Sequence, residues 1–143
     1  MTSALQPNGD LRLVIFDCDG VLIDSEASSC GIIAEAAREI GMPITNEDAV
    51  IRFSGKALTL IRIEIEKETG VFLPQNWCFS LRDRFVEAFR VSVKCVDGTK
   101  EMLDAVQKLE LPVRVGSNSS MLEMDAKFEG SRLNEIFSAD RIH

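Results

Sequence analysis

Two aspartates one residue apart carry the first chemical signal, in Asp17-Cys18-Asp19-Gly20-Val21. In extended backbone, alternate side chains point to the same face, so Asp17 and Asp19 project together. Two carboxylates held close repel each other. A hard cation such as Mg²⁺ relieves that repulsion, binding through oxygen and keeping several of its own waters. One carboxylate can serve as a nucleophile and form an acyl-phosphate. The other can give a proton to a leaving oxygen and later take one from water. Gly20 allows the backbone to turn sharply away from such a site. The same pair also suits a plain strand end whose aspartates cap the next element, and D-x-D alone does not choose. A second polar cluster, Ser117-Asn118-Ser119-Ser120, comes after the apolar Val113 and Val115. A hydroxyl at a strand end, with the first N–H groups of a helix, can hold phosphate oxygens. The plain alternative is an N-cap by Asn118 or Ser119.

The elements that must position these residues can be read from periodicity. Leu11 to Phe16 is a β-branched and aromatic run that predicts a strand buried on both faces, as in a parallel sheet. Open parallel sheets place ligands at the carboxyl ends of their strands, where Asp17 and Asp19 fall. Ser25 to Ile40 is helical by the spacing of Cys30, Ile33, Ala37 and Ile40, with Gly41 and Pro43 as stop signals. Thr45 to Asp48 resembles a capping box opening a short helix through Phe53. Leu58 to Thr69 has both a strand-like alternation of isoleucines and a helical face. Helix is the reading adopted, since no hairpin partner is in reach. Trp77, Leu81, Phe85, Ala88 and Phe89 mark another amphipathic helix whose aromatic stripe reads as core packing. Met102, Leu103, Val106 and Leu109 mark a further one. Val113 to Ser117 is a second strand, and Ser119 to Phe128 a last helix ended by Gly130. Residues 1–10 read as a loose leader.

Composition excludes several classes. The chain has 143 residues, 45% of them apolar, enough for one packed domain. Its net charge of −7 argues against nucleic acid or an anionic membrane as partner, since both call for clustered Lys and Arg. No apolar run is long enough to cross a bilayer. Cys18, Cys30, Cys78 and Cys95 form no C-x-x-C pair, and the single histidine is His143. A Cys/His zinc site, a disulfide framework and a histidine-based triad are therefore not expected. The four cysteines read as reduced thiols of a cytoplasmic protein. Cys18 should point away from the two acids into the other face of the sheet.

Phe16 to Glu26, FDCDGVLIDSE, resembles the first motif of the haloacid dehalogenase superfamily, especially its phosphoglucomutase-like phosphatases. Val115-Gly116-Ser117-Asn118 resembles the second motif. The helical stretch between them is similar to the family's α-helical cap. The resemblance implies an α/β fold: a Rossmann-like core with a parallel sheet, from residues 11–24 and 94–143, and an inserted helical cap at 25–93. It implies Mg²⁺-dependent hydrolysis of a small phosphorylated substrate through an aspartyl-phosphate, with phosphomutase chemistry as a close variant. By position, Asp17 matches the nucleophile and a metal ligand. Asp19 matches the general acid/base, and its backbone carbonyl a second metal ligand. Ser117 matches the hydroxyl on the transferring phosphoryl group, with Asn118 beside it. Gly55 and Lys56 fall in the cap loop that touches substrate. Lys56 or Arg52 could meet a second anionic group there, although a solvated cap surface is the plainer reading.

The match stops after the second motif. The family's third motif supplies a Lys and its fourth supplies further acids for Mg²⁺. Lys127 comes too soon after Ser117 to stand in for the third motif, and Asp140 lacks a strand before it. The chain therefore reads as truncated, with the C-terminal part of the core missing. A non-catalytic remnant is the rival to a working phosphatase. Without further strands, Leu13 to Phe16 should form an open apolar edge. Neither the particular ester nor the oligomeric state is encoded in a form that one sequence reveals.

Overall fold

The computed structural model of the chain describes residues 11–137. The leader at 1–10, Asp140 and His143 lie outside the described residues. The element order is β1 (Val14–Asp17), β2 (Ile23–Asp24), α1 (Glu26–Glu39), α2 (Asn46–Phe53), α3 (Leu58–Thr69) and α4 (Trp77–Val91). It continues with β3 (Lys94–Cys95), α5 (Thr99–Gln107), β4 (Val113–Gly116) and α6 (Met121–Ser131), then a 3₁₀ turn at Leu133–Glu135.

β1 and β4 pair in parallel, with Val14 opposite Val113 and Asp17 opposite Gly116. Both strands therefore end at the same level, which is what a ligand site at their carboxyl ends needs. Burial of β1 on both faces is not observed. Val14 and Phe16 turn towards the core, but Ile15 is 65% exposed and Leu13 42%. The apolar run is continuous, yet among the described residues no element covers the Ile15 face. Among the described residues β1 pairs with β4 alone, so its other edge is open, as expected for this strand.

All six helices form where the spacing predicts them. The reason is local: each has an apolar stripe at 3.6-residue spacing and polar residues elsewhere. In α3, Ile61 and Ile65 are buried while Ile63 is exposed, so the helical reading of the isoleucines is the correct one. At α2, Thr45 Oγ1 accepts from the Asp48 N–H at 3.0 Å, which is half of the capping box. The pair β2–β3 was not legible. Its two-residue strands carry no periodicity, but they place Ile23 opposite Cys95 and Asp24 opposite Lys94. That antiparallel pairing brings the two ends of the helical segment together beside the sheet.

Gly130 does not end a helix. α6 runs through it to Ser131 and closes on Arg132 in a left-handed conformation. Gly130 instead lets α6 cross α4 backbone to backbone. A Cβ there would lie 1.6 Å from the Phe89 carbonyl oxygen, and the Val93 N–H donates to the Gly130 carbonyl at 3.3 Å. The aromatic stripe of α4 is packed as predicted, with Leu81, Phe85 and Phe89 buried.

Candidate active site

The first motif forms a tight turn directly after β1. The Cys18 carbonyl accepts from the N–H groups of Val21, Leu22 and Ile23, at 3.2, 2.9 and 3.1 Å. The Gly20 N–H donates back to the Ile23 carbonyl at 2.9 Å, and Gly20 has φ +74°, a left-handed conformation that glycine adopts without strain. The turn is pinned from outside: the Val96 N–H and the Thr99 hydroxyl both donate to the Leu22 carbonyl, at 3.0 and 3.1 Å. Through this turn Asp17 and Asp19 are exposed while Cys18 between them is fully buried. The alternation expected of extended backbone is preserved. Burial, reinforced by the charge of Asp19, pushes the Cys18 thiol up to about 12, so it is inert at neutral pH.

The two acids sit in different settings. Asp17 Oδ1 accepts from the Cys18 N–H at 2.7 Å, which fixes the rotation of its carboxylate at the strand end. Asp19 is enclosed by donors. Its Oδ1 accepts from the Ser25 hydroxyl at 2.9 Å and the Lys127 ammonium at 2.8 Å, and its Oδ2 from the Ser119 hydroxyl at 3.1 Å. Burial pushes the Asp19 carboxyl up, but the Lys127 ammonium, with the Ser25 and Ser119 hydroxyls, outweighs it. The net effect holds the group below the usual carboxylate range.

Lys127 is the residue that sequence reasoning set aside. Its side chain is 5% exposed, and its Nζ also donates to Ser119 Oγ at 3.1 Å and lies 5.2 Å from the centre of the Phe89 ring. Although it follows Ser117 closely in sequence, it reaches the Asp19 carboxylate beside the second motif. A signal was available: Ser119, Glu123 and Lys127 recur at four-residue spacing, one face of a helix that begins at the second motif. What spacing could not say is that this face turns towards Asp19. The close crossing of α4 and α6 at Gly130 accounts for that.

Ser117 comes directly after Gly116, which pairs with Asp17, so the two lie on neighbouring strand ends spaced at roughly 4.8 Å. The Ser119 N–H donates to Ser117 Oγ at 3.1 Å. The N-cap of α6 is neither Asn118 nor Ser119 but Ser120, whose Oγ accepts from the Glu123 N–H at 3.3 Å. The polar run is thus divided between capping the helix and facing the acids. Asn118, Gly55, Lys56 and Asp19 line one open space. Beside it, a cavity of about 340 Å³ reaches from Asp19 to the loop after α2 at Ser54, Gly55 and Lys56, walled by Ile33, Phe53, Phe85 and Phe89. Phe85 and Phe89 therefore serve the core and the cavity at once. Across its mouth, Glu26 Oε1 accepts from the Gly55 N–H at 3.0 Å. Arg52 and Lys56 form partly exposed ion pairs: Arg52 with Glu64 and Glu68, Lys56 with Glu64.

Among the described residues no group of three or more His, Cys, Asp or Glu gathers around one point. The donors that could meet a metal are the Asp17 carboxylate and the Asp19 backbone carbonyl. Both are oxygens, a donor set that fits a hard divalent cation completing its shell with water. The Asp19 carboxylate itself is shared among three protein donors.

A parallel sheet whose strand ends carry paired acids on one side and a serine on the other, roofed by helices, defines a class. The model of the haloacid dehalogenase-like hydrolases matches residues 14–139, and the chain belongs to that family. It is 28% identical over 112 residues to a 6-phosphogluconate phosphatase of Escherichia coli, covering 78% of this chain and 51% of that protein. A crystal structure of a haloacid dehalogenase-like protein of unknown function from Agrobacterium tumefaciens is 30% identical. It has a TM-score of 0.73 and covers 93% of this chain and 58% of that one. A putative β-phosphoglucomutase from Thermotoga maritima has the same fold at 22% identity, with a TM-score of 0.71 and coverage of 90% and 59%. The chain thus spans about half the length of the curated relative. Among the described residues no helix is long and apolar enough to cross a membrane.

Proposed function

We propose that this chain carries the nucleophile, the acid/base and the phosphoryl-binding serine of a phosphatase acting on a small phosphate ester. The observation that carries the reading is the register: Asp17 ends β1 opposite Gly116, with Ser117 next and Asp19 on the same side of the turn. The family and the phosphatase relative support it. The division into a core at 11–24 and 94–143 and a cap at 25–93 is supported by the β2–β3 pairing, which falls at both junctions.

In this reading an Asp17 oxygen attacks phosphorus. The ester P–O bond breaks as Asp19, in its acid form, gives the leaving oxygen a proton. The carboxylate of Asp19 then takes a proton from water, whose oxygen attacks the phosphorus of the aspartyl-phosphate and releases inorganic phosphate. The Lys127, Ser25 and Ser119 donors favour the ionised Asp19, the state required by this second step. Ser117 and the first N–H groups of the second motif bind the phosphoryl oxygens. Asp17 and the Asp19 carbonyl would hold Mg²⁺, which supplies charge neutralisation for the anionic oxygens when bound.

The test is phosphate release from a panel of sugar and polyol phosphates, 6-phosphogluconate included, with and without Mg²⁺. Wild type should release phosphate only with Mg²⁺, and Asp17→Asn should release none while keeping its circular dichroism spectrum. Full activity in Asp17→Asn would refute the nucleophile. A folded wild type without turnover of any ester would favour the non-catalytic reading.

A further inference from the structure

The turn that carries Asp19 is tied to the helix that carries Lys127 by the segment returning from α4. At its start the Val93 N–H donates to the Gly130 carbonyl of α6 at 3.3 Å. β3 then pairs with β2, Cys95 opposite Ile23 and Lys94 opposite Asp24. At its end the Thr99 N–H donates to the Val96 carbonyl at 3.0 Å, with Gly98 between them at φ +84°. This closed turn brings the Val96 N–H and the Thr99 hydroxyl onto one acceptor, the Leu22 carbonyl, at 3.0 and 3.1 Å. The Leu22 N–H in turn donates to the Cys18 carbonyl, next to Asp19, at 2.9 Å. Lys127 lies about one helical turn before Gly130, and its 2.8 Å contact with Asp19 closes a ring. Two links of that ring use side chains: Asp19 with Lys127, and Thr99 with Leu22. The other links are backbone. Thr99 is 3% exposed, so water has little access to replace its hydroxyl.

We propose that Thr99 is a positioning residue: its hydroxyl, acting through the Leu22 carbonyl, keeps the Asp19 turn in register with α6. This rests on the phosphatase reading for the role of Asp19 in catalysis. Thr99 touches no reacting atom. A single donor on the Leu22 carbonyl leaves the turn free to pivot about that bond, and a second donor removes the pivot. Asp19 has to stay within hydrogen-bond reach of a leaving oxygen and then of a water. A misplacement of about 1 Å can cost about a hundredfold in rate. Ser117 and the N–H groups of the second motif hold the phosphoryl group in this reading, so a loosened Asp19 turn lowers kcat and leaves KM in place.

Thr99→Val replaces the hydroxyl by a methyl group of similar size. The Leu22 carbonyl keeps the Val96 N–H, so no buried polar group is orphaned and the fold should survive. Thr99→Ala is the second variant without the hydroxyl, and Thr99→Ser restores it. Hydrogen exchange of the full chain, read by NMR at Val21, Leu22 and Ile23, should be about tenfold faster in Thr99→Val, with the amides of α2 and α3 unchanged. Turnover of the ester panel in Mg²⁺ should show kcat lowered about tenfold and KM within about twofold. Thr99→Ser should recover most of both. Unchanged exchange in folded Thr99→Val and Thr99→Ala would overturn the proposal. So would faster exchange with unchanged kcat, a rise in KM alone, or equal losses in Thr99→Ser. A wild type that turns over no ester defeats the phosphatase reading, and the exchange measurement alone then upholds or overturns the anchoring by Thr99.

Discussion

Replacing Lys127 with methionine removes one charge from the site at nearly constant volume. Unit charges about 4 Å apart attract by about 4 kcal/mol at an effective dielectric of 20 and by about 1 kcal/mol in water. Lys127 is 5% exposed but the Asp19 side chain is 43% exposed, so water screens the pair from one side. That places the interaction at about 1–2 kcal/mol, and relief of lysine desolvation offsets part of it. Asp19 keeps Ser25 and Ser119 and stays in contact with water, so no charge is stranded. Lys127→Met should therefore cost about 1 kcal/mol at pH 7, read from urea midpoints. The pH dependence is the sharper readout. Asp19 is held below the usual carboxylate range in the folded chain, so its contribution is present above the unfolded carboxyl pKa. It is lost as pH falls through the folded value. The stability gap between wild type and Lys127→Met should thus be full at pH 7 and shrink steadily in acid. Carbon-13 titration of the Asp19 carboxyl should move upward in the variant. A gap independent of pH, or an unmoved Asp19 titration, would refute the coupling of these two residues.

Gly130→Ala places a methyl group against the Phe89 carbonyl, a backbone atom that cannot rotate away. It should cost about 3 kcal/mol or more in urea unfolding, and a loss under about 1 kcal/mol would mean that α4 and α6 are not in backbone contact. Thr45→Ala removes the hydroxyl that caps α2 and should cost about 1 kcal/mol, whereas Thr45→Ser should restore most of it. Iodoacetamide at pH 8 should label the partly exposed Cys78 and Cys95 well before Cys18, whose thiol is buried and pushed up to about 12. Rapid labelling of Cys18, read by peptide mass, would show that the turn after β1 opens.

Much of this architecture is written in short-range patterns. The common side of Asp17 and Asp19 follows from the two-residue period of extended backbone, and Cys18 falls on the other face for the same reason. The helices α1 to α6 follow from 3.6-residue spacing, which is why Ile61 and Ile65 were legible as a buried stripe. The motif resemblance added the roles proposed for Asp17, Asp19, Ser117 and Asn118, because such motifs are contiguous. The remainder depended on contacts between residues distant along the chain. Lys127 reaches Asp19 across 108 residues, Arg52 and Lys56 find Glu64 on the next helix, and two-residue strands pair across the whole helical segment α1 to α4. Periodicity states which face of a helix is apolar, not which neighbour that face will meet. The meeting of α6 with α4 is set by the absence of a side chain at Gly130, and that crossing aims Lys127 at the acid. Local hydrogen bonding and side-chain spacing are properties of a segment and can be read from it. The charge state of Asp19 is a sum over segments, and exists only once the tertiary structure has brought them together.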